Sequence, residues 1–122
     1  MAALKHILVV DDSLLARMML KKFVSKVRPD ADIIEGKDGS DALAKTQGKS
    51  IDIALLDYNM PGMTGLDLAK ILKERYSGII IALITANIQD HIAKDARDLG
   101  VSFIPKPIDE NNIIAYFASL EK

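Results

Sequence analysis

Five short apolar runs punctuate the chain: His6–Val10, Asp32–Glu35, Ile51–Leu56, Ile79–Thr85 and Val101–Ile104. Between and after them lie stretches with helical spacing, near residues 13–27, 38–47, 64–75, 88–99 and 109–121. Five such alternations predict an α/β protein, a parallel sheet covered by helices on both faces. The runs ILVV, IALL and IIIALI are continuously apolar, as strands buried on both sides should be. DIIE is shorter and acid-flanked, which predicts an edge strand.

Punctuation residues set the helix ends. Asp12 or Ser13 is placed to cap the first helix, Thr64 the third, Asn87 the fourth and Asp109 the fifth. Gly48 and Gly100 follow the second and fourth, where a left-handed residue ends a helix at little cost. Ala16, Met19, Leu20, Phe23 and Val27 form the inward stripe of the first helix. Leu14, Leu15 and Met18 fall off that stripe, beside Arg17, Lys21 and Lys22. In the fourth helix the stripe is Ile88, Ile92, Ala96 and Leu99. In the fifth it is Ile113, Tyr116, Phe117 and Leu120, with Ile114 outside it.

Composition narrows the picture by exclusion. The 122 residues suit one domain, 1–122, with a core of useful size. Sixteen basic and 17 acidic residues give a net charge of -1, which offers no footprint for nucleic acid or a membrane surface. No cysteine is present, so disulfides and thiolate chemistry are excluded. The N-terminal segment makes a poor signal peptide and no run reaches membrane-spanning length, so a cytoplasmic location is expected.

In an open parallel sheet, ligands gather outside the carboxyl ends of the strands. The residues at those ends are Asp11, Asp12, Asp57, Thr85 and Lys106. Taken singly, each has an ordinary structural role: a helix cap, a strand-ending turn residue, a buried hydroxyl, a surface lysine. Taken together they read differently. Three carboxylates at one end of a sheet repel one another unless a cation offsets them. A hard divalent ion, Mg²⁺ best, suits oxygen ligands of this kind, with Mn²⁺ as a substitute. Lys106 adds a point charge for an anion and Thr85 a hydroxyl donor, which completes a phosphoryl-transfer set. With no Ser–His or Cys–His pair evident, the nucleophile would be a carboxylate forming an acyl phosphate.

Here the residues resemble a known family. ILVVDDS at the first strand, DGSDAL opening the second helix, LLDYNMPGMTG, LITA and FIPKP follow the pattern of receiver domains of two-component response regulators. The chain most resembles the single-domain, chemotaxis-type (CheY-like) members. The resemblance implies a doubly wound, flavodoxin-like sheet of five parallel strands in the order 2-1-3-4-5, with five helices. It implies that Asp57 is the phospho-acceptor, Asp12 a direct Mg²⁺ ligand and Asp11 a ligand through water. Asn59 would complete the metal site with its backbone carbonyl. Thr85 and Phe103 would be the switch pair, Ala86 the small residue that lets a phosphoryl group reach the backbone, and Lys106 the phosphate-binding lysine. The Lys106–Pro107 bond matches one usually cis. Asn59 and Asn87 occupy positions that influence the attack of water.

The implied function is a phosphorylation-dependent signalling switch. A histidine kinase or phosphotransfer protein would donate to Asp57, and the face made of helix four, strand five and helix five would change its partner preference. Transfer and hydrolysis would be self-catalysed, with no outside substrate turned over. Exposed Leu14, Leu15 and Met18 are candidates for docking the donor, and Ile114 for output contacts. Pro105 and Ile108 depart mildly from the pattern, and Phe103 lacks the hydroxyl of a tyrosine. One rival is a metal-dependent phosphatase with an aspartate nucleophile, which Asp12–Ser13 after Asp11 disfavours. The other is a receiver-like interaction module without phosphorylation. A chain starting at Met1 favours a stand-alone protein over the receiver part of a longer regulator or hybrid kinase.

Overall fold

A computed structural model describes residues 5–86 and 89–120. Five strands, β1 (His6–Val10), β2 (Asp32–Gly36), β3 (Ile53–Asp57), β4 (Ile80–Thr85) and β5 (Ser102–Pro105), alternate with five helices. These are α1 (Leu14–Val27), α2 (Gly39–Thr46), α3 (Gly65–Arg75), α4 (Asp90–Asp98) and α5 (Glu110–Ser119). The strands form one parallel sheet in the order β2-β1-β3-β4-β5, as expected. DIIE does lie at an edge. Successive strand residues face opposite sides of the sheet. Leu8, Val10, Ala54, Leu56, Ile81 and Leu83 therefore enter one core with residues of α2, α3 and α4. Ile7, Val9, Ile53, Leu55, Ala82 and Ile84 enter the other, against Leu20 and Val24 of α1 and Ile113, Tyr116 and Phe117 of α5.

Several boundaries differ from the expectation, for local reasons. β3 begins at Ile53 and includes Asp57, because Asp57 pairs in register with Ile84 of β4. Ile51 is buried although it precedes the strand. β5 runs one residue further than expected and ends on Pro105, tolerable because β5 is an edge strand. Helix α4 begins at Asp90 with Gln89 as its N-cap and no side-chain cap bond, in place of the expected Asn87. Asn87 and Ile88 lie outside the described residues. The inward stripe of α1 also contains Val24, fully buried and one turn beyond Leu20, which the expected stripe omitted.

The remaining caps are as expected. Ser13 accepts from the Ala16 amide, so it rather than Asp12 caps α1. Thr64 accepts from the Asp67 amide while Asp67 accepts from the Thr64 amide, a reciprocal cap that holds the start of α3. Asp109 accepts from the Asn112 amide. Gly48 and Gly100 have φ of 76° and 73°, the left-handed conformation that terminates α2 and α4.

Helix α3 starts against the end of β3. A Cβ at Gly65 would stand 2.5 Å from the Asp57 carbonyl oxygen and 3.0 Å from the Tyr58 Cα, and the Gly65 amide donates to the Tyr58 carbonyl. Helix propensity favours alanine over glycine by about 1 kcal/mol, but backbone atoms cannot yield as a flexible side chain does. Gly65→Ala is therefore expected to destabilise the fold by about 1–3 kcal/mol in urea unfolding, against the propensity rule. Unchanged or raised stability would show that the two backbones separate freely.

Candidate functional site

The strand order turns outward between β1 and β3, and a crevice opens beyond their carboxyl ends. It is an open cleft of about 470 Å³, lined among others by Asp11, Asp12, Asp57, Asn59 and Lys106. Asp57 is the last residue of β3 and is 3% exposed. Asp11 follows β1 and is equally buried, while Asp12 is exposed. One carboxylate oxygen from each of the three acids lies within 4.8 Å of the other two.

Each side chain is set by its local backbone. The Asp11 amide donates to the Gly36 carbonyl at 3.1 Å, which extends the sheet bonding past the end of β1. Asp11 Oδ1 accepts from the Ser13 amide at 2.9 Å. The Tyr58 amide donates to the Ile84 carbonyl, which holds the chain in line just after Asp57. The Lys106 amide donates to the Thr85 carbonyl, so the lysine leaves β5 beside β4. The Lys106–Pro107 bond is cis, as the resemblance implied. Asn112 of α5 brackets that bond, its side-chain amide donating to the Pro105 and Pro107 carbonyls at 3.1 and 3.2 Å.

Electrostatically the cleft is unfinished. Lys106 Nζ stands 2.9 Å from Asp57 Oδ1, an ion pair between a half-buried lysine and a buried carboxylate. The same oxygen has no aligned hydrogen-bond donor among the described residues. Burial raises the Asp11 pKa above its ordinary 3.8; the Ser13 amide opposes that rise and the Asp57 charge adds to it. One ammonium faces three carboxylates. The acidic cluster could therefore bind a metal ion: its donors are all hard oxygens, and the negative charge exceeds the positive.

The other expected residues surround the cleft without lining it. Thr85 ends β4 and is 6% exposed, one strand away from Asp57. Ala86 follows it and is exposed. Phe103 is half-buried against the α2–α4 core and pairs in register with Leu83, on the face that Thr85 shares. The charged and polar supports were not anticipated. Arg17, Glu35, Asn112 and Gly65 all touch the backbone of the site or hold what does, yet their partners are remote in sequence or are plain carbonyls. Nothing in local spacing signals them.

A doubly wound domain with an acidic crevice and a lysine at its switch point is the class that fold and site define. Residues 7–118 match the model of the response regulator receiver domain, and the chain belongs to that family. It is 35% identical over 118 residues to the cyclic di-GMP phosphodiesterase response regulator RpfG of Xanthomonas campestris pv. campestris, covering 94% of this chain and 31% of RpfG. It is 36% identical over 102 residues to the transcriptional regulatory protein FlgR of Helicobacter pylori, covering 83% of this chain and 26% of FlgR. The chain thus spans less than a third of either relative. Among solved structures, chemotaxis protein CheY4 of Vibrio cholerae superposes with a TM-score of 0.85 at 25% identity, over 96% of this chain and 98% of CheY4. A CheX–CheY–BeF3–Mg²⁺ complex from Borrelia burgdorferi gives 0.85 at 27% identity, over 97% of this chain and 90% of its counterpart. The chain is a CheY-like receiver domain of the two-component kind, and phosphorylation-dependent switching is the function consistent with that family. No described helix is long and apolar enough to cross a membrane.

The Asp11 shift has a consequence for stability. A carboxyl whose folded pKa is raised contributes fully below its unfolded value of 3.8, and that contribution is lost as pH rises through the folded pKa. In chelator at neutral pH, Asp11→Asn should therefore raise the thermal midpoint. The advantage should vanish as pH falls below 3.8, where both side chains are neutral. Thermal melts from acid to neutral pH check both the sign and the window.

Proposed function

We propose that this protein accepts a phosphoryl group on Asp57 from the phosphohistidine of a histidine kinase or phosphotransfer protein, with Mg²⁺ as cofactor. The observation that carries this reading is the cluster of three carboxylates within 4.8 Å, with Lys106 Nζ 2.9 Å from Asp57. Asp12, Asp57 and the Asn59 carbonyl would hold the ion directly, and Asp11 through water. When bound, a divalent cation neutralises charge on the phosphoryl oxygens.

The chain's own residues supply the rest. Asp57 attacks phosphorus: the P–N bond of the donor breaks as a P–O bond to Asp57 forms, and the electron pair returns to the imidazole. Lys106 moves from its pairing with Asp57 to the incoming phosphoryl oxygens, so its charge is already in place before transfer. Ala86 has no side chain beyond Cβ to obstruct approach to its amide. The Thr85 hydroxyl then turns toward the phosphoryl group, and Phe103 takes up the space released. That rearrangement alters the surface formed by α4, β5 and α5, where an unidentified protein target binds. Water attack on the acyl phosphate restores Asp57, under the influence of Asn59 and Asn87. Asn87 lies outside the described residues.

Docking of the donor fits the exposed end of α1. Leu14, Leu15 and Met18 are 62%, 67% and 57% exposed, and Leu15 also lines the cleft beside Asp57. A partner helix covering them would bring its histidine to the crevice.

Intact-mass measurement with Mg²⁺ and a small acyl phosphate should show one added phosphoryl group, absent in Asp57→Asn. No adduct on the wild type would favour an interaction module that keeps the fold without the chemistry. Leu15→Glu with Met18→Glu should slow transfer from a protein donor about tenfold and leave the small acyl phosphate rate unchanged. Equal losses with both donors would remove the docking role.

A further inference from the structure

The Asp11–Asp12 peptide is held by a side chain that the phosphorylation chemistry does not use. Arg17, one turn into α1, donates from Nη1 to the Asp11 carbonyl oxygen at 2.7 Å. Its Nε donates to Glu35 Oε1 at 3.3 Å, and Lys21 Nζ stands 3.0 Å from Glu35 Oε2. Glu35 lies on β2, one residue before Gly36, whose carbonyl accepts the Asp11 amide. The Asp11 residue is thus fixed on two sides, its N–H by the β2 backbone and its C=O by a guanidinium anchored on the same strand.

Geometry makes this clamp relevant to the cation site. The Asp11 carbonyl belongs to the peptide plane that leads directly into Asp12. Rotation of that plane would swing the Asp12 carboxylate, which is exposed and accepts no side-chain hydrogen bond among the described residues. Arg17 reaches the carbonyl and leaves both carboxylates free, so it orients the acids without neutralising them. The Arg17 side chain is only 15% exposed and that of Glu35 30%, so this pair is less screened than an ordinary surface pair. A planar fork with several donors can serve the carbonyl and Glu35 together, whereas a lysine ammonium cannot hold both in one plane.

We infer that Arg17, anchored by Glu35, is a positioning residue that presents Asp11 and Asp12 to a single divalent cation. The inference rests on the metal-site reading above. Supports of metal ligands typically change affinity by about 10–100-fold when removed.

Isothermal titration of the full chain with Mg²⁺ alone tests it, on wild type, Arg17→Met, Arg17→Lys and Glu35→Gln. Arg17→Met keeps an apolar stem and removes every donor. It should weaken Mg²⁺ binding about tenfold. Arg17→Lys should recover part of that loss, and Glu35→Gln should weaken binding by a smaller factor. Phosphorylation of Arg17→Met by a small acyl phosphate should return to the wild-type rate once Mg²⁺ is saturating, because Asp57 and Lys106 are untouched. Amide exchange at Asp11, whose N–H donates to the Gly36 carbonyl, should quicken in Arg17→Met, while amides of β3 and β4 stay protected. Wild-type Mg²⁺ affinity in Arg17→Met would overturn the proposal, as would general loss of amide protection across the sheet. A wild-type chain that binds no Mg²⁺ would instead overturn the metal-site reading, and this proposal with it.

Discussion

The structure depends on a mutual repulsion that the sheet enforces. Asp11 and Asp57 are carried to neighbouring positions by β1 and β3, adjacent strands that end side by side. Like charges within 4.8 Å of each other repel by at least about 3 kcal/mol at an effective dielectric near 20. Lys106 offsets part of this, from β5 on the far side of β4. The remainder stays as a standing preference for positive charge. A cleft so charged could hold a metal ion.

Such repulsion persists only on a rigid support. The central strands β1, β3 and β4 are buried on both faces, and two separate cores clamp the sheet between α1/α5 and α2/α3/α4. Interiors packed at this density leave little freedom for the strand ends to part and relieve the acids. At the crevice the same rigidity extends into backbone contacts: Gly65 against the Asp57 carbonyl, and the Asp11 amide on the Gly36 carbonyl. The edge strand is less confined. Phe103 is half-buried on edge strand β5, where a side chain can rotate without opening the central sheet.

How far this was legible depended on the range of each interaction. Continuous apolar runs announced the buried strands, and acid flanks announced β2 as an edge. Helix caps such as Ser13, Thr64 and Asp109 were readable because a cap bonds a backbone amide three residues ahead. The stripe of α1 was read without Val24, since Phe23 and Val27 satisfied the helical period and hid the deeper residue between them. The start of β3 was read two residues early: Ile51 is buried like a strand residue but has no register partner. At the site, the acids, Thr85 and Lys106 were found by their place at strand ends. Arg17 and Glu35 were not, because they are 18 residues apart and meet only through the β1–β2 pairing. Asn112 was hidden for a related reason: its side-chain acceptors are main-chain carbonyls, which any residue provides.

The sequence by itself determined which segments would be strands or helices, which faces they would bury, and which chemical groups would stand at the strand ends. These follow from periodicity and capping, whose interactions span a few residues. The strand order came only with the family resemblance, because alternating strand and helix patterns are compatible with more than one parallel order. Tertiary structure alone decided the convergence. The order β2-β1-β3-β4-β5 brings residues 11, 12, 57 and 106 to one crevice, and puts a guanidinium from α1 between β2 and the acidic turn. The reason is physical: charge repulsion, steric exclusion at Gly65 and the Arg17 clamp act through space, over distances that local sequence patterns do not encode.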